Sequence, residues 1–117
     1  MSANLRRASD EQLIEQYASL AKRVGDAIIN WMPGAKLKQQ LYALEGEIKA
    51  RGARIKLSKL LSDNNRFVRY YAAQELYGLL PQQCRAIIEA NTREYDAIAG
   101  DARGFLRAID EGTYKPE

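Results

Sequence analysis

The chain has 117 residues, 18 Lys and Arg against 15 Asp and Glu, a formal charge of +3, one cysteine and no histidine. That length is a single domain, able to bury roughly two-thirds of its unfolded-chain surface without staples. A lone Cys84 excludes an internal disulfide and a structural zinc site, and the missing histidine excludes a Ser-His-Asp or Cys-His centre and the commonest metal ligand.

Ala and Leu dominate the apolar residues, with only two Val and two Thr, and that bias favours helices over strands. The expected class is all-α. No basic-then-apolar leader opens the chain and no apolar run approaches the roughly 18 residues of a membrane span, so a cytoplasmic location without membrane attachment is expected. Residues 1–8, with Arg6-Arg7, read as a flexible start before one helical domain over 9–117.

A first helix is predicted from Ser9, where Ser9-x-x-Gln12 has the form of a capping box and Asp10 and Glu11 suit the helix dipole. Leu13, Ile14, Tyr17, Leu20, Ala21, Val24 and Ile28 form its apolar stripe, and Pro33-Gly34 ends it after Trp31. A second helix carries Leu37, Leu41, Leu44 and Ile48 and stops at Arg51-Gly52; a shorter third offers Ile55, Leu57, Leu60 and Leu61. After the Asp63-Asn64-Asn65 turn, a fourth shows Val68, Tyr71, Ala72, Leu76 and Leu79 on one face. Pro81 suits the first turn of a fifth, with Cys84, Ile87, Ile88 and Tyr95 along its apolar side. Gly100 is expected to divide it from a last helix bearing Phe105, Leu106 and Ile109, which Gly112 ends. Six helices pair into three antiparallel hairpins, about the minimum for stacked repeats to share a core. A non-repetitive bundle is the alternative.

The segment Leu60 to Leu76, with its Asp-Asn-Asn turn, Val68-Arg69 and Ala72-Ala73, resembles the HEAT and armadillo-like helical repeats. The wider pattern adds Pro81 to Glu89, Ala99 to Ala102, Leu106 to Gly112 and Tyr114-Lys115-Pro116. It resembles a bacterial family catalogued as domain of unknown function 2019. The resemblance covers roughly Ser9 to Pro116 and is more specific in the C-terminal half. It implies a short α-solenoid and supplies no catalytic residue.

Direct chemistry is sparse. No glycine-rich phosphate loop exists, Cys84 lies on an apolar stripe and reads as an inert thiol, and Glu45, Glu47, Asp110 and Glu111 read as solvated carboxylates. The expectation is a protein that is not an enzyme and uses no cofactor or metal. Asp63, Arg69, Ala72 and Ala73 read as structural: the first two tie the turn to the next helix, and the alanines let a neighbour approach.

Charge gives the one functional hint. Between Lys49 and Arg69 lie seven cations (Lys49, Arg51, Arg54, Lys56, Lys59, Arg66, Arg69) against the single acid Asp63, a formal +6. Arg66, Tyr70, Ala73 and Tyr77 share a helical face, mixing the residue types enriched at interface centres. Arg51, Arg54, Lys56, Lys59, Arg66, Tyr70 and Tyr77 are therefore the candidate partner-binding residues, and another protein is the expected partner. An immunity or antitoxin-like role is one form of that reading. Phosphate-backbone binding by the 49–69 hairpin is the alternative, weakened by a net charge of only +3, and homodimerisation through the stack ends is a further reading. The structural reading of the same face is inter-hairpin packing of Tyr70 and Tyr77.

Overall fold

Ser9 opens the longest helix with a reciprocal cap: its Oγ accepts from Gln12 N at 3.1 Å, and Gln12 Oε1 accepts from Ser9 N at 2.8 Å. The computed structural model describes residues 2–117, with side chains from residue 5 onward, and every regular element in it is helical. These are α1 (Ser2–Arg7), α2 (Asp10–Ile29), α3 (Ala35–Ala50), the 3₁₀ helix η1 (Arg54–Ser62), α4 (Arg66–Leu76), α5 (Pro81–Asn91) and α6 (Ala97–Glu111). The expected flexible start over residues 1–8 falls partly on Met1, outside the described residues, and otherwise on α1.

The third helix takes the tighter 3₁₀ form over nine residues. Its buried residues Leu57 and Leu60 are three apart, the spacing at which 3₁₀ side chains eclipse, while Ile55 points to solvent. Asn65 caps α4: its Oδ1 accepts from Phe67 N at 2.9 Å and Val68 N at 3.2 Å.

The helices pair as α2 with α3, η1 with α4, and α5 with α6. Helix α4 lies centrally, packed on η1, α2 and α5, and its face of Val68, Tyr70, Ala72, Ala73 and Leu76 is wholly buried. Gly25 lets α2 and α4 pack closely: a methyl group there would clash with Phe67 Cγ. Helix α2 also packs on α6, so the first pair touches the third. An open stack joins only neighbours. The extents of 38 × 31 × 27 Å and the 13.7 Å radius of gyration fit that closure, since about 13 Å is expected of a compact chain of this length.

Three expectations along the chain are corrected. Gly100 does not divide the last helices; it lies inside α6, which Asp96 starts by accepting from Ala99 N at 3.1 Å. Helix α5 ends at Asn91, so Tyr95 stands in a loop, fully exposed, rather than on an apolar stripe. Leu79, past the end of α4, is also largely exposed.

Candidate interaction surfaces

Most cations of the basic hairpin already hold partners within the chain. Arg51 donates from Nη1 to Ala8 O at 2.8 Å and Asp10 Oδ1 at 3.1 Å, from Nη2 to Leu5 O at 2.9 Å, and from Nε to Glu47 Oε2 at 3.3 Å. It thereby staples the α1–α2 junction to the end of α3. Lys56 Nζ reaches Asp10 Oδ2 at 2.7 Å, and hydrogen bonds from Lys56 and then Arg51 hold the Asp10 carboxyl below the usual range. Arg54 Nη2 donates to Glu75 O at 2.7 Å and Glu117 O at 3.1 Å, with Nε 3.4 Å from Glu75 Oε1 but not aligned for a hydrogen bond. Lys49 pairs with Glu117. Arg66 grips Asp96 with both Nη atoms, donates Nε to Asn91 Oδ1 at 3.0 Å and lies over the Phe67 ring at 4.9 Å. Of the seven cations, Lys59 is exposed and makes no ion pair among the described residues.

Two of the candidate surface residues are not on the surface. Tyr70 is 0% and Tyr77 6% exposed. The Tyr70 hydroxyl donates to Asp101 and accepts from Gln74 Nε2 at 2.8 Å; Tyr77 packs edge-on to Phe105 at 5.7 Å and accepts from Arg85 Nη1 at 3.3 Å. The helical face that carries them is the core face of α4, so their rings join α4 to α5 and α6. Arg66, at its N-terminal end, is closed off by Asp96. Asp63 Oδ1 accepts from Asn65 N at 2.9 Å, and Arg69 Nη1 donates to the carbonyls of Asp63 and Asn64 at 2.7 and 3.1 Å. Arg69 thus braces the turn through main-chain oxygens rather than a carboxylate. Ala72 and Ala73 are fully buried.

Of the carboxylates read as solvated, Glu111 is exposed as expected, while Glu45, Glu47 and Asp110 are engaged. Glu45, half-buried on α3, accepts from the Tyr17 hydroxyl at 3.2 Å, and that hydroxyl also reaches Tyr71 O at 3.1 Å. Burial, and secondarily the neighbouring Glu75, push the Glu45 carboxyl up to about 7; burial raises Glu75 as well. The spacing of Glu45 and Glu47 gave no sign of this, because the partners Tyr17 and Glu75 come from α2 and α4. Glu47 pairs with Arg51, and Asp110 takes both Nη atoms of Arg85 at 2.9 Å. The Cys84 thiol is buried and raised to about 11 by desolvation, an inert state. No cluster of metal-ligating side chains occurs among the described residues.

A second surface lies at the other end of α2. Trp31 is 87% exposed and Met32 62%, just past the helix, and Trp31 and Tyr95 line one cleft of about 860 Å³. Thr92, Arg93, Glu94, Asp96, Ala97 and Arg103 complete its lining. Trp31 has φ 56°, the left-handed region that L side chains rarely adopt. Trp31 N donates to Ile28 O at 3.2 Å and Met32 N to Ala27 O at 2.8 Å, so Trp31 fills the left-handed position of a Schellman closure. Sequence reading missed this surface because it placed Tyr95 inside a helix. The available signal was Asp96, an N-cap residue type before Ala97-Ile98-Ala99. Compared with protein-family models, curated proteins and solved structures, the chain matches none.

Proposed function

We propose that this chain is a small, non-enzymatic protein-interaction module whose contact surface is the Trp31–Tyr95 cleft rather than the basic hairpin. One observation carries the reading: two large rings and Met32 stand in solvent at one end of the molecule, while most of the hairpin's cations already hold internal partners. Trp, Tyr, Met and Arg are the residue types enriched at interface centres, and large apolar side chains gathered in solvent call for an explanation that scattered ones do not. The absence of histidine and the inert setting of Cys84 support the non-enzymatic part. The resemblance of Leu60–Leu76 to HEAT-like repeats points to the same class, and an immunity or antitoxin-like protein is one member of it. Phosphate binding through residues 49–69 is the weaker alternative, because Lys49, Arg51, Arg54, Lys56 and Arg66 each already face a carboxylate of the chain.

Affinity capture from the native cell with matched variants tests this. A protein retained by the wild-type chain, lost on Trp31→Ala with Tyr95→Ala, and kept on Lys56→Glu with Lys59→Glu is the expected result. Capture of nucleic acid alone, or capture that depends on Lys56 and Lys59 and ignores the two rings, overturns the proposal.

A further inference from the structure

Three helices of this chain end in the same way. In α3 the left-handed position is Gly52 (φ 71°), with Gly52 N donating to Lys49 O and Ala53 N to Ile48 O. In α6 it is Gly112 (φ 75°), with Gly112 N donating to Ile109 O and Thr113 N to Ala108 O. Only at the end of α2 is the position filled by a large side chain, Trp31, and that side chain buries almost nothing in the fold. Glycine adopts this conformation without the Cβ clash that every other residue carries there. The strain at Trp31 therefore has no compensating contact inside the molecule. Such a break with local preference, in a residue turned to solvent, is where a function is to be sought.

The charges around the cleft define what fits it. Arg93 forms no ion pair among the described residues, and Arg103 donates only to Thr92 O at 3.0 Å. Asp96 is neutralised by Arg66, which leaves Glu94 as the acid of the lining with no ion pair among the described residues. The balance is a small positive excess held beside two exposed rings. It suits one or two carboxylates and is too weak, with Glu94 in place, for a run of phosphates. The cleft volume of about 860 Å³ is that of a site for a few side chains.

We infer that the Trp31–Tyr95 cleft receives an acidic segment of a partner protein, with an apolar or aromatic side chain against the two rings and a carboxylate on Arg93 and Arg103. This rests on the protein-binding reading above and specifies its ligand. Short random peptides displayed on phage and selected against the intact chain are the test. Enriched peptides carry a large apolar residue within a few positions of Asp or Glu. As synthetic peptides they lose about tenfold or more in affinity for Trp31→Gly and for the Arg93→Glu, Arg103→Glu double variant, but not for Lys59→Glu. Trp31→Gly keeps or raises the thermal midpoint, so its loss of binding is not a loss of fold. Enriched peptides that require Trp31 and Tyr95 yet lack acidic residues overturn the ligand and leave the protein-binding reading standing. No enrichment, enrichment indifferent to Trp31, or tighter binding of oligothymidylate than of any peptide overturns both.

Discussion

The hairpin over residues 49–69 and the cleft at Trp31 and Tyr95 carry the same kinds of side chain, Arg with aromatic rings, in opposite conditions. In the hairpin, Arg66 is locked onto Asp96 and Asn91, and Tyr70, the first residue beyond it, is sealed in the core. In the cleft, Arg93 makes no ion pair among the described residues and Tyr95 is wholly in water. Charge density along a sequence is therefore a poor guide to available charge. What matters is whether the fold brings a carboxylate to each cation, and here Asp10, Glu75, Asp96 and Glu117 come to the hairpin from other segments, with Glu47 adding a local pair to Arg51.

The contrast is sharpest for the tyrosines. Tyr70→Ala empties a fully buried site and strands the Asp101 and Gln74 side chains, for an expected loss of about 3–5 kcal/mol, whereas Tyr95→Ala is expected within about 0.5 kcal/mol of wild type. Equilibrium urea unfolding of both variants measures the difference, and equal midpoints would erase the distinction between the two regions. For the arginines the gap is smaller. Arg66→Ala should cost about 1–2 kcal/mol, reduced by the partial exposure of the pair, while Arg93→Ala stays within about 0.5 kcal/mol.

Acidity tests the interior further. The folded-state carboxyl of Glu45 is raised, so its protonated form is favoured by folding; stability from this group is fully present below the unfolded value and is lost as pH rises through about 7. Glu75 acts in the same direction. Asp10, Asp96 and Asp110 are lowered, and their contributions disappear only on strong acidification. Between pH 5 and 8 the chain should lose roughly 1–2 kcal/mol, and Glu45→Gln should flatten that slope in thermal melts. The only expected gain belongs to the cleft: Trp31→Gly relieves the left-handed strain and should add about 0.5–1 kcal/mol, which calorimetry can resolve.

The all-α class was legible because helix propensity and apolar spacing act locally. The Ser9–Gln12 cap, the stop at Arg51-Gly52, Pro81 at the start of α5 and Gly112 at the end of α6 are each set within a few residues, and each is found where expected. Surface assignments depended on distant partners and were not legible. Nothing near Tyr70 announces Asp101, and nothing near Arg66 announces Asp96. Gly100 misled because an exposed glycine is tolerated inside a helix when the N-cap, here Asp96, lies upstream. The cleft escaped for the same reason: one wrong boundary moved Tyr95 from water onto a supposed core stripe.

The chain's sole tryptophan is also the residue that the fold leaves in water. Its fluorescence should resemble that of the unfolded protein and report global denaturation poorly, with tyrosine and far-ultraviolet signals carrying that transition instead. The same indole would shift strongly to the blue when a ligand covers it. A built-in optical probe thus sits at the proposed contact, responsive to docking and nearly blind to folding.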